Sequence, residues 1–285
     1  MITLASLLSR WPLWLLHALG ALLGWLGYWA SPSYRRRLRE NAAAAGVDAR
    51  QRRAAVAEAG RLVLELPRLW LRARTQPIAD PVRWDNAETL ERWLRSDRGL
   101  VLLTPHMGSF EMAAQAYAER YGAVRPMCVL YRPARQAWLR RLEETARTRT
   151  HLSSAPATLA GVRQKLRALK QGHTLGLLPD QVPPAGLGEW APFFGRAAYT
   201  MTLAARLVQQ TGAAIGVLWC ERLAHGGGYV VHVREFGPGL PTAAAPQAAA
   251  AAVNRCMEAV IRECPAQYLW GYHRYKAPRA AAAQA

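Results

Sequence analysis

The segment LVLLTPHMGSFE at residues 100–111 decides how the rest of the chain is interpreted. Its first four residues, 100–103, form an apolar run that predicts a short buried strand, ended by a threonine and a proline. Ser109 can cap a helix that begins at about Phe110. His106 therefore lies in a loop at the carboxyl end of a strand, where open α/β sheets bind their ligands.

A carboxylate stands five positions after this histidine. Glu111 falls in the first turn of the predicted helix, where the helix dipole favours a negative charge, and we expect it to reach one imidazole nitrogen of His106. A carboxylate on Nδ1 fixes the tautomer and raises the basicity of Nε2, which is how enzymes activate a hydroxyl as a nucleophile. Gly108 and the first free N–H groups of the helix are expected to receive an oxyanion. By itself the spacing is weak, since a histidine bonded to a loop carbonyl has the same pattern.

Downstream of residue 98, short apolar runs alternate with helical stretches. The alternation predicts an α/β fold, a central mixed sheet flanked by helices. Residues 229–236 alternate apolar and polar side chains, which is typical of an antiparallel strand at one side of the sheet. The other predicted strands are 100–104, 126–131, 174–178 and 213–220, and the predicted helices are 109–121, 135–148, 158–171, 199–211 and a last one that runs to about residue 263.

The amino-terminal stretch WPLWLLHALGALLGWLGYWA, residues 11–30, holds no formal charge apart from the titratable His17. About twenty such residues suffice to cross the hydrocarbon core of a bilayer, and the aromatic residues gather toward both ends, as interfacial aromatics do. The arginines of YRRRLR at 34–39 follow at once, and the positive-inside rule keeps the rest of the chain in the cytoplasm. We expect a membrane anchor; because Pro12 and three glycines weaken the span, a helix lying in the interface stays open. A cleaved signal peptide is disfavoured, since no small-x-small site appears and arginines follow.

The chain carries a strongly positive charge. Its 37 Lys+Arg against 19 Asp+Glu give +18, and nearly all the basic residues are arginine. This surplus favours contact with nucleic acid, anionic lipid headgroups or an acidic carrier protein. The basic residues are scattered and no recognition motif appears, so we expect no nucleic acid partner. The four cysteines form no C-x-x-C pair and the histidines have no paired metal spacing, so we expect no disulfide framework, metal or bound cofactor.

Four regions follow from these patterns: an anchor at 1–32, an amphipathic helical region at 33–97, an α/β catalytic domain at 98–276 and a disordered tail at 277–285. The second region is expected to hold helices at about 35–45 and 49–73, interrupted at Gly46 and bent or broken near Pro67.

An H-x₄-D/E pattern after a strand, on a basic chain with an apolar amino terminus, resembles the glycerolipid acyltransferase superfamily. Further blocks narrow the resemblance to the late (secondary) acyltransferases of lipid A biosynthesis, of lauroyl/myristoyl transferase type. The blocks stand in the family's order over nearly the whole chain: VLYRPARQAWLRR at 129–141, LLPDQ at 177–181, APFFGRAAYT at 191–200, TGA at 211–213 and PAQYLWGYHRYK at 265–276.

The resemblance implies a reaction at the bacterial inner membrane, with the catalytic domain facing the cytoplasm. His106 would deprotonate a hydroxyl on a 3-hydroxyacyl chain of a lipid A precursor, and Glu111 would orient it. The hydroxyl would then attack the thioester of an acyl chain on acyl carrier protein, the donor co-substrate. Substrate-binding roles would fall to Gly108, Ser109, Arg132, Asp180 and Gln181. Arginine suits a phosphate because its fork binds two oxygens.

The chain also departs from the family pattern. Ser109 and Phe110 stand where the family usually has Asn and Trp, and the block after residue 200 lacks a glycine. These departures leave the acceptor and the chain length open. A lysophospholipid or another glycolipid is an alternative acceptor, and a non-catalytic basic protein of the membrane surface is the alternative outside the enzymes. A binder would have no need of a basic histidine.

Overall fold

The computed structural model describes residues 6–73, 76–131, 148–156, 166–237, 239–241 and 245–279. Its centre is a mixed sheet of seven strands, in the order β1-β9-β8-β2-β5-β3-β4, beside a two-stranded hairpin, β6-β7. The strands are β1 (Val82–Asp85), β2 (Leu100–Leu103), β3 (Met127–Tyr131), β4 (Leu152–Pro156), β5 (Thr174–Leu177), β6 (Gly188–Phe193), β7 (Arg196–Met201), β8 (Ala214–Arg222) and β9 (Tyr229–Glu235). The helices are α1 (Leu13–Ala30), α2 (Pro32–Ala44), α3 (Ala49–Trp70), α4 (Ala87–Leu94), α5 (Phe110–Tyr121), α6 (Leu203–Thr211) and α7 (Pro246–Glu263).

The strand directions confirm the predicted mixed α/β sheet. Strands β8, β2, β5, β3 and β4 pair in parallel, whereas β9 runs antiparallel to β8. The antiparallel strand predicted at 229–236 is thus β9, but it is not the edge, because β1 pairs with its outer side.

The apolar run at residues 100–103 occupies the centre of this sheet as β2. All of residues 100–103 have exposed fractions of 1 % or less, because helices cover both faces of β2. Val101 and Leu103 join one core cluster, and Leu100 and Leu102 join the other. A strand covered on both sides needs apolar residues at every position, which explains the unbroken run.

Several elements differ from the expectations. β1 lies within 33–97, where only helices were predicted, and β4 and the β6-β7 hairpin were not predicted. β7 occupies the start of the helix expected at 199–211, which therefore begins at Leu203. The helix expected at 49–73 ends at Trp70, and it continues through Pro67 rather than breaking there. The helix expected at 135–148 and most of the tail lie outside the described residues.

Helix α1 packs closely on α3 through glycines. A Cβ added at Gly60 would lie 1.9 Å from the carbonyl oxygen of Gly20, and one added at Gly24 would lie 2.2 Å from the carbonyl oxygen of Val56. The two backbones therefore meet without side chains between them, as in small-residue helix contacts. One face of α1 is in this way fixed to the body of the protein.

The opposite face of α1 is apolar and exposed. α1 is the candidate membrane span found in the described part of the chain, and 33 % of its window is buried inside the molecule. Its exposed large side chains are Trp14, Leu19, Leu22, Leu23, Leu26 and Trp29. An exposed apolar stripe of this size on a soluble surface marks an interaction site for a membrane or a partner.

We expect Gly60→Ala to destabilise the protein, because the new Cβ would overlap the backbone of α1. Overpacking of this kind costs about 1–3 kcal/mol, so the midpoint of thermal unfolding in detergent should fall. The matched control is Gly27→Ala on the same helix pair, where a Cβ meets nothing within 4 Å. Alanine is the better helix former by about 1 kcal/mol, so this control should be neutral or stabilising. Equal midpoints for the two variants would contradict the close crossing.

Candidate active site

His106 and Asp180 form a direct hydrogen-bonded contact at the carboxyl edge of the sheet. The imidazole Nδ1 lies 2.7 Å from Asp180 Oδ1, and the backbone N–H of His106 donates to Asp180 Oδ2 at 2.9 Å. The two residues follow β2 and β5, which are neighbours in parallel, so the sheet brings their loops together. The carboxylate thus holds both the ring and the backbone of the histidine.

The partners of the ring define its tautomer. Because the carboxylate accepts, Nδ1 carries the proton and Nε2 carries the lone pair. Gln181 Nε2 lies 3.0 Å from His106 Nε2 and donates to that lone pair. Burial alone would raise the pKa of Asp180, but the electrostatic interaction and the hydrogen bonds with His106 outweigh it and hold that pKa below its usual 3.8. Asp180 is therefore ionised, as an orienting group must be.

The imidazole contacts that the structure describes are with residues other than Glu111, so the role expected of Glu111 stays a prediction. Nδ1 contacts Asp180 and Nε2 contacts Gln181, so both ring nitrogens are engaged elsewhere. Glu111 lies in the first turn of α5, as predicted, with 9 % of it exposed. The sequence placed Asp180 at the same edge as His106, but no local pattern indicated which carboxylate would contact the ring.

The expectation of an oxyanion site at Gly108 is corrected. Its N–H donates to Gln267 O at 3.0 Å, and the Ser109 N–H donates to Cys220 O at 2.8 Å. Gly108 has φ +57°, and a Cβ there would lie 2.0 Å from Cys220 O. Glycine is needed for close packing of the loop on β8, rather than for binding a ligand.

Ser109 makes no cap hydrogen bond for α5. It is completely buried, and its hydroxyl has no hydrogen-bond partner among the described residues. The predicted cap position is thus right, but the predicted cap bond and access to a substrate are not present. Arg132, the third predicted binding residue, lies outside the described residues.

A largely apolar cavity of about 460 Å³ opens beside the histidine. The polar groups at one end are His106, Asp180 and Gln181. The rest of the lining comes from α1, α2, α3 and the segment after α7: Leu23, Gly24, Gly27, Tyr34, Ala59, Gly60, Leu62, Val63, Tyr268, Leu269, Gly271 and Tyr272. An apolar cavity with a few convergent polar groups is the usual form of a site for a lipid or another small molecule.

The family model for the bacterial lipid A biosynthesis acyltransferases matches residues 2–277. The chain belongs to this family. It is 28 % identical over 200 residues to the lipid A biosynthesis palmitoleoyltransferase of Escherichia coli K12 and to the lipid A biosynthesis acyltransferase of Shigella flexneri, covering 68 % of this chain and 62 % of each relative. It is 26 % identical over 182 residues to the lauroyltransferase of E. coli K12, covering 63 % of this chain and 56 % of the relative. The matched part thus spans less than two thirds of each relative.

In this lipid A acyltransferase family member, the buried side chain of Arg222 fixes the loop that carries His106. Arg222 Nη2 donates to the carbonyl of Gly108 at 2.9 Å. The same guanidinium donates to Glu65 at 2.9 and 3.0 Å and to Glu58 at 2.6 Å. Glu65 also lies 3.2 Å from Nε2 of His17 on α1. One buried network therefore joins α1, α3, β8 and the loop.

Opposite charges in this network stabilise the ionised form of each group. Burial would raise the pKa of Glu65, but the charge of Arg222 and the hydrogen bonds from His17 and Arg222 lower it from 4.5 to about 2. Burial would lower the pKa of Arg222, but Glu65 and Glu58 raise it above its usual 12.5. Both groups are thus ionised in the folded protein. No local sequence pattern indicates this network, because hydrogen-bonded partners in it lie as far as 164 positions apart.

We expect Glu65→Gln to remove one acid-dependent contribution to stability and to destabilise the protein. A carboxyl group whose pKa falls on folding stabilises the native state above its unfolded pKa, and this contribution is lost as the pH falls from about 4.5 toward about 2. The variant lacks that loss, and it leaves the buried charge of Arg222 short of a partner, which costs about 3–5 kcal/mol. Denaturant unfolding at a series of pH values measures both effects.

Glu40→Gln is the matched control, since Glu40 is 56 % exposed and its nearest cation is Arg36 at 3.9 Å. An exposed pair of this kind contributes about 0–1 kcal/mol, so the control should match the wild type. A Glu65→Gln variant that kept the full acid-dependent loss of stability would contradict the assigned ionisation.

Proposed function

We propose that this protein transfers a fatty acyl chain from acyl carrier protein to the hydroxyl of a 3-hydroxyacyl chain on a lipid A precursor. The observation that carries the proposal is the His106–Asp180 contact at the polar end of an apolar cavity, in a chain that the family model matches from residue 2 to 277. The names of the matched relatives support the acceptor class and the reaction class.

The chemistry follows from the tautomer of the histidine. The acceptor hydroxyl takes the place of the Gln181 amide at Nε2 of His106, which accepts its proton as the oxygen attacks the thioester carbonyl. Asp180 stabilises the imidazolium that forms. The C–S bond then breaks, and the imidazolium returns the proton to the leaving thiolate of the carrier. No covalent acyl-enzyme is needed.

Two further residues have proposed substrate contacts. The Gln181 amide, once displaced from Nε2, is a donor for the carbonyl oxygen that gains charge in the transition state. Arg132 is proposed to bind a phosphate of the acceptor, on the strength of the YRP block alone. Neither assignment requires a metal or a bound cofactor.

We also propose that α1 lies in the surface of the bacterial inner membrane, with the body in the cytoplasm. One face of α1 is fixed to α3, the other exposes apolar side chains, and arginines follow in α2. This combination fits a monotopic helix better than a free span. It lets the acceptor chain pass from the bilayer into the cavity, and the charge of +18 attracts an acidic carrier protein.

The test of the reaction is acyl transfer from acyl carrier protein thioesters to a tetra-acylated lipid A precursor. His106→Ala should lower kcat by about 10²–10⁴, the usual contribution of a general base. Asp180→Asn should cause a loss of similar order, because the asparagine no longer holds His106 in the tautomer with the proton on Nδ1. Glu111→Gln belongs in the same series, since a catalytic role for Glu111 stays a prediction of the sequence. Transfer to lysophospholipids but not to the lipid A precursor would favour the alternative acceptor.

Asp85→Asn is the matched control for the Asp180 variant. Asp85 also contacts a histidine, His232, with Oδ2 2.9 Å from Nδ1, but this pair lies at the β1-β9 edge of the sheet and does not line the cavity. The control should keep full activity. Retained transfer in Asp180→Asn, or an equal loss in Asp85→Asn, would remove the support for the dyad.

The proposed function also predicts which part of the cavity limits the length of the acyl chain. Gly27 lines the cavity, and a Cβ there meets nothing within 4 Å. Gly27→Leu should therefore occupy part of the path of the acyl chain and shift donor preference to shorter chains. Competition between carrier thioesters of different length measures the shift. Ala30→Leu, an exposed position on the same helix outside the cavity, should leave the preference unchanged; the same profile in both variants would contradict the assigned path.

A further inference from the structure

A second cavity lies on another side of the contact between α1 and α3 and has a different chemistry. Its volume is about 400 Å³, and it is formed where α1 ends, along α2 and at the start of α3. Its lining residues are Trp25, Tyr28, Leu38, Arg39, Ala43, Ala49, Arg52, Arg53 and Val56. We call it the arginine pocket. It shares no lining residue with the cavity beside His106.

The three arginines of this pocket are not neutralised by neighbouring acids. Among the described residues, no carboxylate lies within 4.0 Å of Arg39, Arg52 or Arg53, whereas the exposed Arg92 and Arg120 each form an ion pair. Three uncompensated guanidinium groups around one concavity repel one another. A bound anion would remove this repulsion.

The unused hydrogen-bonding groups of the pocket are donors. Arg39 uses Nε on the hydroxyl of Tyr28 at 2.7 Å, and Arg52 uses Nη1 on the carbonyl of Val47. The other guanidinium N–H groups of Arg39 and Arg52, and all those of Arg53, have no partner among the described residues. Tyr28, 9 % exposed, accepts from Arg39 and keeps its own O–H proton for an acceptor. A set of donors without acceptors is suited to phosphate oxygens, which accept only.

The amino-terminal end of α3 adds to the positive electrostatic potential of the arginine pocket. Ala49 and Arg52 belong to its first turn and line the pocket, so the positive end of the helix dipole faces the same region as the arginines. Asp48, the N-cap, accepts the N–H of Gln51 at 2.7 Å and is not part of the lining.

The position of the pocket indicates a phosphate at the membrane surface. Trp25 and Tyr28 form its wall on α1, and Trp29, 60 % exposed, follows on the same helix beside the exposed Leu22 and Leu26. Tryptophan and tyrosine at the end of an apolar helix lie at headgroup depth. A lipid whose tails cover the apolar face of α1 would carry its phosphate to this level.

We propose that the arginine pocket binds the phosphate of an anionic phospholipid of the bilayer, and so fixes how α1 sits in the membrane surface. The inference concerns membrane binding and holds whether or not the proposed transfer reaction is correct. The lipid is a bilayer component here, distinct from the acceptor that reaches His106.

The test uses the full chain and vesicles of phosphatidylcholine, alone or with phosphatidic acid. The double variant Arg52→Gln/Arg53→Gln removes two of the three guanidinium groups. Each near-surface basic residue contributes about 1 kcal/mol to binding an anionic membrane, so the pair should weaken binding to the phosphatidic acid vesicles by about tenfold or more. Binding to phosphatidylcholine alone, driven by the apolar face of α1, should not change.

The charge-matched control is Arg206→Gln/Arg255→Gln, two exposed arginines on α6 and α7 that form no ion pair with a described residue. This control should lose far less affinity. Arg52→Lys/Arg53→Lys keeps the charge but loses the planar fork, so it should bind more weakly than wild type and more tightly than the glutamine pair. Circular dichroism confirms that each variant is folded before binding is compared.

Two further experiments distinguish phosphate recognition from general charge attraction and from binding of the acceptor. Vesicles with cholesteryl hemisuccinate at the same surface potential carry a carboxylate instead, and there the two glutamine pairs should behave alike. The proposal is overturned if the pocket pair loses no more than the control pair, or if it loses as much on the carboxylate vesicles. It is equally overturned if vesicle binding is unchanged while KM for the phosphorylated acceptor in neutral micelles rises, since the pocket would then serve the substrate.

Discussion

A fully buried arginine fixes the geometry on which the histidine loop depends. The charge of Arg222 cannot be lost, so its desolvation must be offset by partners, and these are Glu65 and Glu58 of α3 together with the Gly108 carbonyl. Two of these partners belong to α3 and the third to the loop that carries His106. The arrangement of α3 relative to β8 is therefore set by the need to pair one charge. The loop between β2 and α5 is held in place because its carbonyl is one of the acceptors.

The same network connects the docking of α1 to the site. Glu65 contacts His17 of α1 on one side and Arg222 on the other. The glycine contact between Gly24 and Gly60 brings α1 close enough for this hydrogen bond. A helix that looks in the sequence like a separate anchor is thus part of the wall of the cavity. The sequence pattern changes at residue 32, but in the structure α1 packs against the residues that follow.

The sequence was most informative where structure is determined locally. The apolar run of β2, the start of α5 and the position of Asp180 after β5 all follow from patterns within a few residues, and all are where they were predicted. By contrast, residues 152–156, LSSAP, have no strand pattern and form β4 because β3 offers an unpaired edge. The contact of Asp180 with His106 depends on the pairing of β2 with β5 across 74 positions. The formation of β4 and the partner of His106 both depend on tertiary contacts, which local sequence patterns do not predict.

The hydrogen bond between Gln181 and His106 has a consequence for the order of events in the proposed reaction. In the resting site the Nε2 lone pair is satisfied, so the base is not exposed to water in an unpaired state. A hydroxyl that displaces the amide gains an acceptor, but the amide then loses one in a cavity that is mostly apolar. The thioester carbonyl is the group that would compensate it. Binding of the donor therefore lowers the cost of binding the acceptor hydroxyl, and the base becomes available when both substrates are present.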